Sequence, residues 1–162
     1  MENKTVKNSE SEVNRLVLPE DTNIFGALYG GRLVEWMDNI ASITAFKHAR
    51  KKVVTGSIDN LFFLSPINLG YIVTIHTFIT YVTRSTMEVE IDVQTENVET
   101  GDKKVTTRAY FTYVATDENG RAVEIPGLLL QTPEEEKRFS EGQTRSKSRL
   151  DALKNMKETV LF

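Results

Sequence analysis

Apolar and polar positions alternate along most of the second half of the chain, whereas one segment near its start follows a helical period. Residues 1–12 are polar and charged and read as a flexible N-terminal arm. Residues 13–18, Val-Asn-Arg-Leu-Val-Leu, read as a short strand. Pro19 to Asn23 are turn residues, and Gly26-Ala-Leu-Tyr-Gly-Gly31 leads into a helix from Arg32 to about Ala49. Plotted at about 100° per residue, Leu33, Trp36, Met37, Ile40 and Ile43 form one bulky apolar face. The other face carries Gly31, Val34, Ala41, Ser42, Ala45 and Ala49, with Asp38 at its centre and Glu35 beside it. Such a helix is packed on both sides: the bulky face suits a concave sheet, and the small face lets a ligand or another backbone come close.

Strand patterns follow the helix. Residues 52–63 form an apolar-rich run ended by Ser65-Pro66. In 71–83, Tyr71, Val73, Ile75, Thr77, Ile79 and Tyr81 share a face. In 86–95, Met87, Val89, Ile91 and Val93 alternate with Glu88, Glu90, Asp92 and Gln94. In 104–116, Val105, Thr107, Ala109, Phe111, Tyr113 and Ala115 lie on one side. Turn signals separate the runs at Leu69-Gly70, Thr100-Gly101-Asp102 and Asn119-Gly120. These strands exceed the usual length of about 5–6 residues, so they bend around something, and the early helix is the candidate. The tail, 132–162, opens like a helix, with Thr132 as N-cap, Pro133 next and three acids in the first turn. Gly142 is a point of interruption, and Arg145, Lys147 and Arg149 form a basic cluster. The periodicity supports an α+β fold, with an antiparallel sheet and one central helix.

Composition narrows the function classes. With 162 residues, the chain forms one domain of ordinary size: an arm over 1–12, a body over 13–131 and a helical tail over 132–162. A net charge of −3 gives no general attraction to nucleic acid or to an anionic membrane. The absence of cysteine excludes disulfides, a zinc ribbon and a cysteine nucleophile, and agrees with a cytoplasmic location. No apolar stretch is long enough to span a bilayer, which takes about 18–20 residues, and the start lacks a signal peptide's apolar core. The glycines form no nucleotide-binding loop, and no metal-ligand spacing is present.

The segment from Leu18 to Asp38, Leu-Pro-Glu-Asp-Thr-Asn-Ile-Phe-Gly-Ala-Leu-Tyr-Gly-Gly-Arg-Leu-Val-Glu-Trp-Met-Asp, resembles the signature of the acyl-CoA hydrolases of the hotdog superfamily. That group includes bacterial broad-specificity and cytosolic brain-type acyl-CoA thioesterases. The resemblance continues through His48-Ala-Arg, residues 53–59, Phe63 to Pro66, Gly70 to Val73 and Arg84 to Val89, and it covers roughly 13–126. It implies a hotdog fold, a curved antiparallel sheet of about five strands around the long helix. It also implies an obligate homodimer with one continuous sheet, often assembled as a trimer of dimers (a homohexamer), and an active site at the dimer interface. By the same resemblance, Asn23 and Asp38 occupy the family's catalytic positions and are contributed by opposite subunits. The substrate implied is acyl-CoA, hydrolysed to free fatty acid and CoA. No cofactor is implied, because CoA belongs to the substrate.

Those residue types suit the chemistry. A carboxylate at Asp38 acts as general base on water or attacks the thioester directly, and the sequence leaves both open. Gly30 and Gly31 open the helix, where free N–H groups carry partial positive charge suited to an oxyanion. Asn23 orients water or the carbonyl. Each also has a bland reading: Asp38 as a carboxylate paired with a surface cation or pointing to water, Asn23 as a turn residue, the glycines as a tight turn. His48 closes the helix and favours its C-terminus, and His76 lies on a strand. Candidates near the CoA moiety are Ser57, Arg84 and Ser85, with Arg108, Arg121 and the Arg145–Arg149 cluster as further cations. A non-catalytic acyl-CoA sensor is the first alternative; it would normally carry a DNA-binding segment, which 1–12 is too short to be. A hotdog hydratase or dehydratase needs a histidine near the helix, and none precedes residue 48.

Overall fold

The computed structural model describes residues 1–160; residues 161–162, the end of the expected helical tail, lie outside the described residues. A short strand β1 (Lys4–Thr5) is followed by β2 (Ser11–Leu16), helix α1 (Gly30–Ala49) and β3 (Lys52–Ile58). Three long strands come next, β4 (Ile72–Val82), β5 (Thr86–Glu96) and β6 (Lys103–Thr116). Strand β7 (Leu128–Leu129) and helix α2 (Pro133–Val160) complete the chain. The main sheet has five antiparallel strands in the order β2-β4-β5-β6-β3 and curls around α1. This is the expected α+β architecture.

The sheet's inner face and α1 close an apolar core. Leu33, Met37, Ala41 and Ala45 meet Val73, Ile75, Met87, Val89, Ile91, Val93 and Phe111, all buried. The buried face of α1 is rotated from the expected one. Ile43 is 40% exposed, while Thr44 and His48 are buried. Thr44 is accepted because its hydroxyl lies 2.7 Å from that of Thr77 on β4. His48 does not merely end the helix. Its ring is fully buried, and Nε2 meets the Pro126 carbonyl at 2.9 Å, which ties α1 to the segment after β6. Burial holds its pKa below the usual imidazole value, opposed by the Pro126 contact.

Several expectations from the pattern are corrected. Residues 1–12 are anchored rather than free: Lys4 and Thr5 pair in parallel with Leu128 and Leu129. The Lys4 ammonium donates to the carbonyls of Lys47 and His48 at 2.9 and 2.7 Å, so the arm caps the C-terminus of α1. Strand β3 ends at Ile58, not at residue 63. A shift of register opposite Val93 and Gln94 leaves Val105 exposed and buries Thr106 and Thr107 together. Gly142 does not interrupt α2. It is buried where the helix crosses the outer face of the sheet; a Cβ there would lie 2.6 Å from Tyr81 Cβ and 2.9 Å from Glu88 Oε1.

Alternation on β5 misses this second layer. Glu88 and Glu90 are buried as deeply as the valines beside them, because α2 covers them. Glu88 receives Arg145 through two nitrogens (3.1 and 2.8 Å), Arg149 at 2.7 Å and the Thr80 hydroxyl at 2.6 Å. Arg149 also reaches Asp59 at 2.9 Å, and Arg145 stacks 3.7 Å over the ring of Tyr110. Glu90 lies near Arg108 and Arg138, at 3.2 and 3.6 Å.

Candidate active site

Asp38 stands in the middle of α1, on the side that faces β3 and β6. Register places Thr55 of β3 and Met87 of β5 on either side of Tyr113 in β6. The Thr55 hydroxyl donates to Asp38 Oδ1 at 2.9 Å, and the Tyr113 hydroxyl donates to the same oxygen at 2.7 Å. Tyr113 also lies 3.2 Å from the Asp38 carbonyl. No hydrogen bond from the described residues reaches Oδ2, and Asp38 takes part in none of the ion pairs among them. The bland reading of a carboxylate matched to a surface cation therefore does not describe Asp38. Two neutral hydroxyls hold one oxygen and leave the other available.

A bulge makes this approach possible. Register shifts between Thr55 and Ser57, and Gly56 sits where a Cβ would press on Val114 Cγ2 at 3.2 Å and the Thr112 carbonyl at 3.3 Å. Ser57 is half-buried just past the bulge. It lines a cavity of about 650 Å³ with Tyr110, Arg145, Arg149 and Leu153 of α2.

Asn23 occupies a separate place. Its Oδ1 accepts the N–H groups of Phe25 and Ala27 at 2.9 and 3.2 Å, and its main chain pairs with Ala27. The turn reading is therefore true of its carbonyl oxygen. The side-chain NH₂ is left over as a donor with no partner among the described residues. Asn23 lines a cavity of about 410 Å³ with Gly30, Leu33, Phe63, Ser65 and Ile67. Asp38 does not line it. Within one chain, the two residues are not brought together.

Gly30 and Gly31 form the first turn of α1, which has no acidic residue and no side-chain cap at Tyr29. Their N–H groups have no helical carbonyl to bond. At Gly30 a Cβ would meet the Phe63 ring at 3.4 Å, an ordinary contact distance, so the helix start lies against the cavity wall.

Arg84 and Ser85 form the β4–β5 turn. Their carbonyls accept Ile125 and Ala115 N–H groups at 3.0 and 2.9 Å, and the Arg84 side chain is exposed. They lie past the Lys52 end of β3, away from Ser57. Arg108, Arg145 and Arg149 are engaged by the chain's own carboxylates, so they are not the free cations that the sequence offered. Thr55 and Tyr113 are the site residues that the pattern missed. The one available signal was Tyr113, a hydroxyl on the otherwise mostly apolar inward side of β6.

The Asn23 loop and the segment after β3 expose large apolar side chains: Ile24 and Phe25 are 90% and 85% exposed, and Phe62, Phe63 and Leu64 are half-exposed or more. Strand β3 is a sheet edge, paired only with β6. Among the described residues, no helix is long and apolar enough to cross a membrane.

Residues 25–101 match the model of the Thioesterase superfamily. An uncharacterized acyl-CoA thioester hydrolase of Bacillus subtilis is 39% identical over 134 residues, 83% of this chain and 74% of that protein. The human cytosolic acyl coenzyme A thioester hydrolase is 35% identical over 146 residues; they are 89% of this chain but only 38% of the human protein's length. Among solved structures, an apo-hexameric acyl-CoA thioesterase superposes with a TM-score of 0.89 at 36% identity, covering 94% of this chain and 98% of that one. The acyl-CoA hydrolase of Staphylococcus aureus, in complex with butyryl coenzyme A, coenzyme A and coenzyme A disulfide, gives 0.89 at 32% identity, covering 97% and 96%. That hydrolase has also been solved with alanine replacing one aspartate, one asparagine or one threonine.

Proposed function

Because the chain belongs to the acyl-CoA thioester hydrolases of the hotdog Thioesterase superfamily, we propose that it hydrolyses acyl-CoA at a dimer interface, with Asp38 of one subunit and Asn23 of the other. The observation that carries this reading is the asymmetric carboxylate of Asp38, with Oδ1 held by Thr55 and Tyr113 and Oδ2 open. Asn23 complements it with an unused NH₂. The three residues replaced in the Staphylococcus aureus hydrolase are an asparagine, an aspartate and a threonine spaced fifteen and seventeen residues apart; Asn23, Asp38 and Thr55 have the same types and spacings.

In this mechanism Oδ2 takes a proton from water as the water oxygen bonds to the thioester carbon. The carbonyl oxygen becomes an oxyanion, held by the first-turn N–H groups at Gly30 and Gly31 and by the Asn23 amide. Collapse breaks the C–S bond, and the proton on Asp38 passes to the CoA thiolate. The products are a carboxylic acid and CoA. No cofactor enters these steps. Ser57, Arg84 and Ser85 are the proposed contacts to the CoA moiety.

The same surfaces support an oligomer. An open β3 edge and the exposed Ile24, Phe25, Phe63 and Leu64 are what a subunit interface covers. In the proposed dimer, the Asn23 loop of one subunit faces the Asp38 helix of the other. A hexamer is the proposed assembly, as in the apo-hexameric relative, and the cytoplasm the proposed location, as for the cytosolic human relative.

Thiol release from acyl-CoAs of two to sixteen carbons tests the reading, and the cysteine-free chain adds no background. Asp38→Ala is expected to lower kcat by about 10²–10⁴-fold with the oligomer intact. Mixing inactive Asp38→Ala and Asn23→Ala subunits is expected to restore activity, because one interface then holds both intact residues. Full activity in Asp38→Ala, or no rescue on mixing, overturns the shared site.

A further inference from the structure

We propose that Tyr113 is a positioning residue for Asp38, its buried hydroxyl holding Oδ1 so that the carboxylate is turned with Oδ2 towards the attacking water. This rests on Asp38 as the base.

Tyr113 is fully buried in the middle of β6, among inward neighbours that are apolar: Ala109, Phe111 and Ala115. A phenylalanine would fill the same space without a polar atom. The hydroxyl adds only a group that must be satisfied, since an unbonded buried hydroxyl is costly. It donates towards the main chain and Oδ1 of Asp38. Burial and the neighbouring Asp38 carboxylate push the phenol's pKa far above its ordinary value, so it stays a donor throughout any assay. Hydrogen bonds to the ionised form of a carboxylate favour that form, and two on one oxygen orient the other.

Among the described residues, no other charge is bonded to Asp38. On α1 the neighbouring acid is Glu35, exposed and paired with Arg32 at 3.0 Å. From β2, Arg15 stacks over Trp36. From β3, Thr55 brings a neutral hydroxyl, and Lys52 is exposed at the strand's start. From β4, His76 pairs with Glu10. The β5 and β6 charges Glu88, Glu90, Asp92 and Arg108 lie on the sheet's other face. Lys47, His48 and Lys4 sit at the far end of α1.

The test is the pH profile of butyryl-CoA hydrolysis by the full chain, wild type beside Asp38→Ala and Tyr113→Phe. Losing one hydrogen bond to a charged group predicts that Tyr113→Phe lowers kcat by about 10- to 100-fold. KM is expected to stay within about twofold, and the acid limb of kcat/KM to move to higher pH by about one unit. A purely structural tyrosine would lower activity equally at every pH; that result, or a wild-type profile, overturns the proposal. Site-specific 3-fluorotyrosine at position 113 keeps the ring and strengthens the donor, which covers the case of a Phe variant that misfolds. Its acid limb is expected to move to lower pH, and an unmoved limb overturns the proposal. If Asp38→Ala keeps its activity, the reading of the site fails first and this proposal with it.

Discussion

The two sides of the sheet treat carboxylates in opposite ways. On the outer face, Glu88 is buried under α2 and surrounded by Arg145, Arg149 and Thr80. Burial pushes its pKa up, but those donors together hold it below the ordinary carboxyl value. On the inner side, Asp38 of α1 meets two neutral hydroxyls and, among the described residues, no cation. A carboxylate saturated by guanidinium groups has no lone pair to spare and serves as a rivet. A carboxylate held by one oxygen leaves the other free to meet water or substrate. The contrast separates structure from chemistry more sharply than burial does, since the more buried of the two acids is the structural one.

Removing each acid should break different properties, the largest effect being on catalysis. Asp38→Ala loses about 10²–10⁴-fold in kcat with little change in thermal stability, measured by thiol release and calorimetry on one preparation. Glu88→Ala reverses the pattern. It leaves Arg145 partly buried without its carboxylate and Arg149 with Asp59 alone, and the expected cost is about 3–5 kcal/mol in denaturant unfolding. An unchanged midpoint would show that the outer cluster is not a rivet. Gly142→Ala forces a Cβ against Tyr81 and Glu88 and is expected to cost about 1–3 kcal/mol by overpacking, read in the same unfolding curves.

A smaller effect sharpens the comparison within the outer face. Glu88 is depressed in the fold, so its stabilisation is complete above the ordinary pKa of 4.5 and is lost as pH falls below that through the folded value. Glu90 is raised, by burial against the opposing Arg138 and with Asp92 adding to the rise. Its ionisation therefore costs stability at neutral pH, and that cost disappears as pH falls towards 4.5. Melting temperatures between pH 3 and 7 should show Glu88→Gln flattening the acid loss below about 4.5 and Glu90→Gln steepening it above that value. Equal profiles for the two variants would remove the distinction.

Much of this protein was legible in one dimension. The period-two runs from β4 to β6 and the helical period from residue 32 follow from backbone geometry, which repeats its inward side every two residues or every 3.6. The motif from Leu18 to Asp38 carried the resemblance, and with it Asn23, Gly30, Gly31 and Asp38 as candidates. What lay beyond the sequence depended on elements distant along the chain. Glu88 and Glu90 look like solvent-facing acids until α2, about fifty residues later, lies over them. Lys4 looks like part of a loose arm until it caps a helix that ends at Ala49. Thr55 and Tyr113 are ordinary strand residues until β3 and β6 pair across a bulge and point both hydroxyls at one oxygen. Local periodicity decides which residues face inward. Only the packing of the sheet, α1 and α2 decides which polar groups meet, because a hydrogen bond needs its partners within about 3 Å and no spacing along the chain encodes that distance.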